Sequence, residues 1–283
     1  MPADGAASVA AVGRVARGWY LATVSLRVVR SDASLTAIVV LGGIASGATA
    51  IGFLVPAAVA YSIEETWLAG IIAAVGVYLA TLVATYFAVA LAVAAADVLD
   101  GRDATVGGGT AVASQRLGAI AGWALVLTTV NLVIQLLRSR AGILGSLLLG
   151  AATVAWGLAT FLVVPIVALE GLGPLAALER STSLFRQKWG EQLVGTASIG
   201  VLFALLGTLP AVALVFLGFA SGSDTLAVSL IVVGVLLAVA AGVLGSAARA
   251  VFSVALYRYA SGRGPTGPFT EQDLETAVAR KGA

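Results

Sequence analysis

Carboxylates form the densest group of side chains in this sequence that could do chemistry. Asp97, Asp100 and Asp103 stand three residues apart in the segment Asp-Val-Leu-Asp-Gly-Arg-Asp. At a membrane surface, such carboxylates could hold Mg²⁺ together with a lipid diphosphate. Membrane phosphotransferases carry a longer run of spaced aspartates, however, and Asp100-Gly101 is also typical of a turn that follows a helix. The preferred interpretation is therefore a turn, with catalysis as the alternative.

Glu170 is the other carboxylate that could form part of a site, and we group it with the three aspartates as one candidate interfacial cluster. It opens the turn Glu-Gly-Leu-Gly-Pro at the end of a long apolar stretch. A carboxylate this close to hydrocarbon needs partners to remain charged. The sequence predicts Arg180, Arg249 or Arg116, or backbone donors of the turn, as those partners. A structural latch is preferred to a ligand-binding role.

A polar stripe lies on the third apolar stretch, where Thr128, Asn131 and Gln135 are spaced i, i+3 and i+7. On a helix these three side chains face the same way. A substrate pathway could use them, but hydrogen bonding between helices is the commoner use of such groups in membranes. An unpaired amide in hydrocarbon is costly, so we expect the stripe to pack inside the bundle.

Several kinds of site are excluded by composition. The sequence has no cysteine and no histidine, which excludes disulfides, thiol catalysis, a histidine base and the usual zinc sites. It also has no phosphate-binding loop or dinucleotide fingerprint. We therefore assign no catalytic, cofactor-binding or metal-binding residue. The 16 basic and 14 acidic residues give a net charge of +2, too balanced to indicate a nucleic-acid partner.

The elements that carry these residues are predicted to be transmembrane helices. The 283 residues are 60% hydrophobic and 11% charged, far below the charge of soluble domains. A helix of ~20 apolar residues crosses the hydrocarbon core. Six stretches without charge meet this length: 33–63, 66–96, 117–137, 141–169, 192–223 and 225–248. The predicted fold is an all-α polytopic bundle of six spans, with Pro56, Pro165 and Pro210 as candidate kinks.

The loops predict the orientation. Fourteen of the 16 Lys and Arg residues lie in four segments that six spans place on one side, and only Arg138 and Arg140 lie on the other. By the positive-inside rule, both termini are expected in the cytoplasm and the protein in the cytoplasmic membrane. The chain then divides into a cytoplasmic amphipathic segment (1–32), a six-span domain (33–261) and a cytoplasmic tail with a short helix (262–283).

Amphipathic segments are predicted before the first, third and fifth spans. One face of the first carries Val9, Val12, Ala16, Trp19, Tyr20 and Thr23, and one face of the segment after Pro174 carries Leu175, Leu178, Thr182, Phe185 and Trp189. Leu184 breaks the second pattern. A brief helix from about Thr110 leads into the third span. This arrangement suggests a three-fold repeat of helical hairpins, each preceded by an interfacial helix. In the tail, Thr270 and Asp273 predict the start of a short exposed helix.

Three blocks of sequence resemble a known family. They are 161–174 (Phe-Leu-Val-Val-Pro-Ile-Val-Ala-Leu-Glu-Gly-Leu-Gly-Pro) with Arg180-Ser181 and Trp189-Gly190, Val106-Gly107 with 116–120, and 255–260 (Ala-Leu-Tyr-Arg-Tyr-Ala). Together they are similar to a family of uncharacterised six-helix integral membrane proteins of archaea and bacteria, from about residue 26 to 259. The resemblance implies a membrane location and the helix number, but it implies no activity.

Three functional hypotheses follow. The first is a non-enzymatic integral membrane protein that acts in membrane organisation or assembly. Its partners would be membrane lipids, together with further copies of itself or another membrane protein. The second is a permease or channel for a small neutral or amphipathic solute, which a cavity at the polar stripe would favour. The third is a lipid-modifying enzyme, which a pocket joining Asp97, Asp100 and Glu170 would favour.

Overall fold

The computed structural model describes residues 19–189, 209–210, 212–214, 216–218, 220, 222, 224–264 and 267–278. Within these ranges every regular element is a helix, so the predicted all-helical fold is confirmed. The helices are α1 (19–31), α2 (Ala33–Ser62), α3 (Thr66–Leu99), α4 (Val106–Gln115), α5 (Leu117–Arg138), α6 (Ile143–Thr160), α7 (Val163–Glu170), α8 (Pro174–Trp189), α9 (Asp224–Ala260) and α10 (Glu271–Val278).

Among the residues that the structure describes, five segments are long and apolar enough to cross a membrane. They are Ala33–Ser62, Thr66–Leu99, Leu117–Arg138, Gly145–Glu170 and Thr225–Ala260. Their length and composition favour a multi-pass membrane protein. The predicted span at 192–223 lies largely outside the described residues, and so does Pro210's surrounding segment. The number six and the three-fold repeat therefore stay predictions.

The first hairpin turns at the two glutamates that interrupt the apolar sequence. α2 ends at Ser62 and α3 begins at Thr66, as the charge pattern predicted. Glu64 has a φ of 65°, a left-handed conformation that few non-glycine residues adopt. A polar side chain at such a tight turn keeps the turn out of hydrocarbon, which explains why the helices end here.

The fourth predicted span is interrupted close to Pro165, one of the three candidate kinks. A turn at Phe161 and Leu162 separates α6 from α7. Pro165 has no N–H to donate to the carbonyl of Phe161, four residues earlier, and its ring crowds that carbonyl. The break therefore falls one turn before the proline. Pro56, by contrast, lies inside α2, which continues to Ser62.

Exposed apolar side chains are concentrated in one zone along the length of the helices. Large exposed apolar side chains run from Val40 in α2 to Ile63 just after it, and from Leu226 to Leu244 in α9. At 1.5 Å per residue these stretches measure about 35 Å and about 27 Å, close to the ~30 Å of hydrocarbon in a bilayer. We call this surface the exposed apolar band. It is the part of the bundle whose height and apolar surface match a hydrocarbon layer.

Most buried side chains lie at one end of the molecule, beyond the exposed apolar band. α3 and α9, of 34 and 37 residues, are about 51 Å and 55 Å long and exceed the hydrocarbon thickness. Their extra turns pack with shorter helices in one hydrophobic core. We name this region the capped end. It consists of α1, α4, α7, α8 and α10 with residues 33–38 of α2, 89–99 of α3, 117–124 of α5 and 247–260 of α9.

The faces that the short helices bury match the predicted amphipathic patterns only in part; Phe185 of α8 is on both. In α1, Trp19 and Tyr20 are exposed, whereas Leu21, Val24 and Val28 are buried; Val9, Val12 and Ala16 lie outside the described residues. In α8, the buried residues are Ala177, Ser181, Leu184 and Phe185, while Leu175 is exposed. Leu184, which broke the predicted pattern, is central to the buried face. Contacts with protein, which a single-helix pattern does not contain, determine these faces.

The third short helix and the tail differ from expectation as well. α4 begins at Val106, not near Thr110, because Thr105 caps it by accepting from the Gly108 N–H at 3.0 Å. In the tail, Thr270 and Asp273 form the expected reciprocal cap, with bonds of 3.0 and 3.2 Å. The tail is not an exposed extension, however. Phe269 and Leu274 are buried in the capped end.

Candidate functional site

Arg258 is a buried cation near the end of α9, with a side chain that is 3% exposed. Its two Nη groups donate to the two carboxylate oxygens of Asp100, with an Nη2–Oδ2 distance of 2.6 Å. Nη2 also donates to the carbonyl of Ala96 at 3.0 Å. This two-pronged geometry is the one in which guanidinium and carboxylate match best. Asp100 and the end of α3 therefore compensate the buried charge through its two Nη groups, while Nε is buried without a hydrogen-bond partner among the described residues.

Asp97 and Asp100 are bridged on their outer side by Arg102. Its Nη2 lies 2.7 Å from Asp97 Oδ1 and 3.0 Å from Asp100 Oδ2. The hydrogen bond from Arg258 holds the pKa of Asp100 below its ordinary value of 3.8, in spite of partial burial, and the two arginine charges act in the same direction. Asp100 is therefore ionised at neutral pH and is bound from two sides. Asp103 lies apart in the exposed segment before α4.

Glu170 ends α7 and contacts two other elements. Tyr257 of α9 donates its hydroxyl to Glu170 Oε1 at 2.7 Å, and Arg180 Nε of α8 lies 3.3 Å from the same oxygen. Arg180 was one of the predicted partners, whereas Tyr257 was not. Arg116, another predicted partner, instead donates to the carbonyl of Val167. There it satisfies one of the free carbonyls at the end of α7, where a cation is favoured.

Gly171 makes this arrangement geometrically feasible. It follows Glu170 with a φ of 74°, a conformation that favours glycine. A Cβ on Gly171 would lie 3.4 Å from the Arg116 guanidinium carbon. The glycine thus ends α7 and leaves room for the cation beside its last turn.

Two adjacent residues of α9, Tyr257 and Arg258, therefore bind α9 to two different helices. Tyr257 reaches α7 through Glu170, and Arg258 reaches α3 through Asp100. Neighbouring positions on a helix point about 100° apart, so one turn of α9 can contact both. Neither residue was identified from the sequence as part of a site. Arg258 could have been noticed as a charge inside the apolar run 250–260, where an unpaired cation would be costly.

The candidate carboxylates do not converge on one point. Asp97 and Asp100 belong to the α3–α9 contact, and Glu170 belongs to the α7–α8–α9 contact. In the part of the chain that the structure describes, no group of three or more Asp or Glu side chains could hold a metal ion. The interfacial cluster expected from sequence is thus two separate sets of links between helix ends.

Hydroxyl groups add further links within the capped end and between it and the adjoining parts of α3 and α6. Ser34 Oγ donates to the carbonyl of Ala104 at 2.9 Å, and Ser181 Oγ donates to that of Ala159 at 2.6 Å. Tyr86 Oη lies 3.1 Å from the carbonyl of Thr110 in α4. Each bond joins residues far apart in sequence, so the helices at this end are held by directional bonds as well as by apolar packing.

The polar stripe lies on α5, away from the capped end. Thr128 Oγ1 is buried and has no hydrogen-bond partner among the described residues. Asn131 and Gln135 are exposed, so the described helices do not enclose these two side chains. Gln135 lies within one turn of Arg138, near the end of the span, where a polar side chain can reach the membrane surface.

Comparison with other proteins identifies a family but no relative of known activity. Neither the proteins of curated function nor the solved structures gave a match. The sequence pattern of a family described as being of unknown function (DUF6159) matches residues 68–267, more than half of the 283 residues. The matched range includes all the ion pairs described above. The chain therefore belongs to this family of unknown function, DUF6159.

Proposed function

We propose that this protein is a non-enzymatic component of the cytoplasmic membrane that acts in membrane organisation or assembly. The observation that carries this proposal is the use made of the candidate carboxylates. Asp97, Asp100 and Glu170 bind arginine and tyrosine side chains that join helix ends. A catalytic carboxylate needs access to a substrate, whereas these are engaged by other parts of the same chain. We propose that the linked helix ends form a rigid platform on one membrane surface.

The proposal includes six spans, with the capped end and both termini in the cytoplasm. Support comes from the arginines and lysines, since those of α1, α8 and the region after α9 fall on the side of the capped end and Arg138 and Arg140 fall on the opposite side. Reporter fusions after Ala283 and at Ser223 test the orientation. Opposite signals are expected, and a cytoplasmic signal at both positions would contradict six spans.

Assembly is tested by purifying the protein together with its native lipid in polymer-bounded discs. The proposal predicts a defined complex, either of several copies or with another membrane protein at a constant ratio. The Asp100→Asn variant, which loosens the platform, should reduce the fraction of the protein found in this complex. Arg140→Gln at the opposite end should leave that fraction unchanged. A monomer that binds no protein partner in these discs would contradict the proposal.

Transport of a small neutral or amphipathic solute is the second candidate, and one observation favours it. The buried hydroxyl of Thr128 lacks a partner among the described residues and lies in line with Asn131 and Gln135. Proteoliposomes that exchange small polyols or amino acids across the bilayer, with loss of exchange in Asn131→Leu, would favour transport over assembly.

A further inference from the structure

The first helix has two faces of different chemistry. Leu21, Val24 and Val28 of α1 are buried in the core of the capped end. The opposite face carries Tyr20, Thr23, Arg27 and Arg30, spaced at i, i+3, i+7 and i+10, and Trp19 beside them. Trp19 and Tyr20 are 50% and 48% exposed, and both arginines are exposed. α1 is therefore fixed to the protein on one side and presents arginine and aromatic groups on the other.

The two arginines of this face, like Arg186 and Arg249, have no ion pair among the described residues, whereas three other arginines at this end of the molecule have one. Arg102, Arg180 and Arg258 each pair with a carboxylate. Among the described residues, no carboxylate lies within ion-pairing distance of Arg27 or Arg30. The nearest acidic residue in sequence, Asp32, is engaged otherwise. Its side chain accepts from the backbone N–H groups of Ser34 and Leu35 at 2.7 and 3.3 Å and caps α2. Within the described residues, neither arginine of α1 is therefore paired with a carboxylate.

The position of α1 places this charge near the membrane surface. Asp32 has an extended conformation between α1 and α2, so α1 does not continue the axis of the first span. Asp32 precedes Val40, where the exposed apolar band begins, by eight residues, or about 12 Å of helix. Arginine stems reach several ångströms towards a polar layer, and Trp and Tyr are enriched at the level of the lipid headgroups.

We propose that the exposed face of α1, formed by Trp19, Tyr20, Arg27 and Arg30, is a binding surface for the headgroups of anionic phospholipids in the leaflet next to the capped end. The guanidinium groups match the phosphate geometry, and the aromatic side chains match the headgroup layer. Because the opposite face is buried in the core, α1 does not need to fold or move to bind. The surface holds the capped end against an anionic membrane.

The test uses the natural absence of cysteine from the chain. A single cysteine in place of Thr23 is labelled with a fluorophore, and the full-length protein is reconstituted into phosphatidylcholine vesicles with a fraction of phosphatidylglycerol. Quenching is compared between phosphatidylglycerol and phosphatidylcholine that each carry a nitroxide near the headgroup. We expect stronger quenching by the phosphatidylglycerol label. The affinity of this face for phosphatidylglycerol relative to phosphatidylcholine, obtained from the quenching, should fall about fivefold for each arginine removed in Arg27→Gln and Arg30→Gln. It should also fall with added salt.

Matched controls separate this site from a general attraction to anionic lipid. Arg138→Gln with Arg140→Gln removes the same charge at the opposite end of the molecule and should leave the relative affinity measured at residue 23 unchanged. Equal quenching of the fluorophore at residue 23 by the two nitroxide-labelled lipids would overturn the proposal. A preference for phosphatidylglycerol that survives removal of both α1 arginines would overturn it as well.

Discussion

Replacing Asp100 by Asn isolates the charge of Arg258 with little change of shape. Removing one partner of a fully buried ion pair costs about 3–5 kcal/mol. Asp100 is 30% exposed, whereas Arg258 is 3% exposed, so water can replace part of the lost interaction. The bond from Arg258 to the Ala96 carbonyl also remains. We therefore expect a loss of about 2–3 kcal/mol in the free energy of unfolding, or about 30- to 150-fold in the folded-to-unfolded ratio.

The assay is reversible denaturant unfolding in mild detergent, followed by tryptophan fluorescence. Arg102→Gln is the matched control, because Arg102 also contacts Asp100 but its side chain is 61% exposed. It should cost far less. A double-mutant cycle of Asp100→Asn and Arg258→Met separates the pair from its surroundings. Methionine fills the volume of the arginine stem, so the double variant should be more stable than the sum of the two single losses predicts.

The pH dependence provides an independent readout of the same pair. Arg258 lowers the pKa of Asp100 in the folded protein from its ordinary value of 3.8. The folded state binds that proton less readily than the unfolded chain, so the stabilisation is complete above pH 3.8 and is lost as the pH falls below it. Asp100→Asn should lack this part of the acid destabilisation.

In the denaturant assay, equal losses of unfolding free energy in Asp100→Asn and Arg102→Gln, together with additive effects in the double-mutant cycle, would refute the reasoning.

Three further changes test other contacts of the capped end. Glu170→Gln keeps an acceptor for the tyrosine hydroxyl but loses the ion pair with α8, so the unfolding temperature in detergent should fall modestly; an unchanged temperature would argue against the latch. Gly109→Ala should lower the free energy of unfolding, because its Cβ would lie 2.6 Å from a backbone oxygen of α3. Gly107→Ala, where the added Cβ would meet open space, should leave that free energy unchanged or raise it by up to about 1 kcal/mol. Leu274→Ala should cost about 2–5 kcal/mol of local stability, measured as faster proteolysis of the tail, and Glu271→Ala on the exposed face should not change the rate.

Features that depend on nearby residues could be predicted from the sequence. Glu64 and Glu65 interrupt two apolar stretches, and the first hairpin turns there because a charged side chain cannot remain in hydrocarbon. Thr270 and Asp273 form the predicted cap because the interaction spans only three residues. Spacing along one helix contains the information that such features need.

Features that depend on distant residues could not be predicted in this way. The sequence predicts a turn at Asp100-Gly101, which the structure has, but not the ion pair of Asp100 with Arg258, 158 positions away. The spacing pattern of α8 placed Leu184 outside the apolar face, yet the residue is buried against other helices. In both cases the decisive contact comes from the packing of helix ends beyond the membrane. One sequence contains no periodicity that reports such pairs.

Cysteine accessibility in intact cells tests the central claim that the capped end and the first hairpin turn lie on opposite membrane surfaces. Single cysteines are placed at Ile63, which is 65% exposed beside the first turn, and at Arg263, which is exposed just after α9. Both are treated with a membrane-impermeant maleimide before and after permeabilisation. The account predicts that residue 63 is labelled in intact cells and residue 263 only after permeabilisation. Labelling of both positions in intact cells, or of neither before permeabilisation, would contradict it.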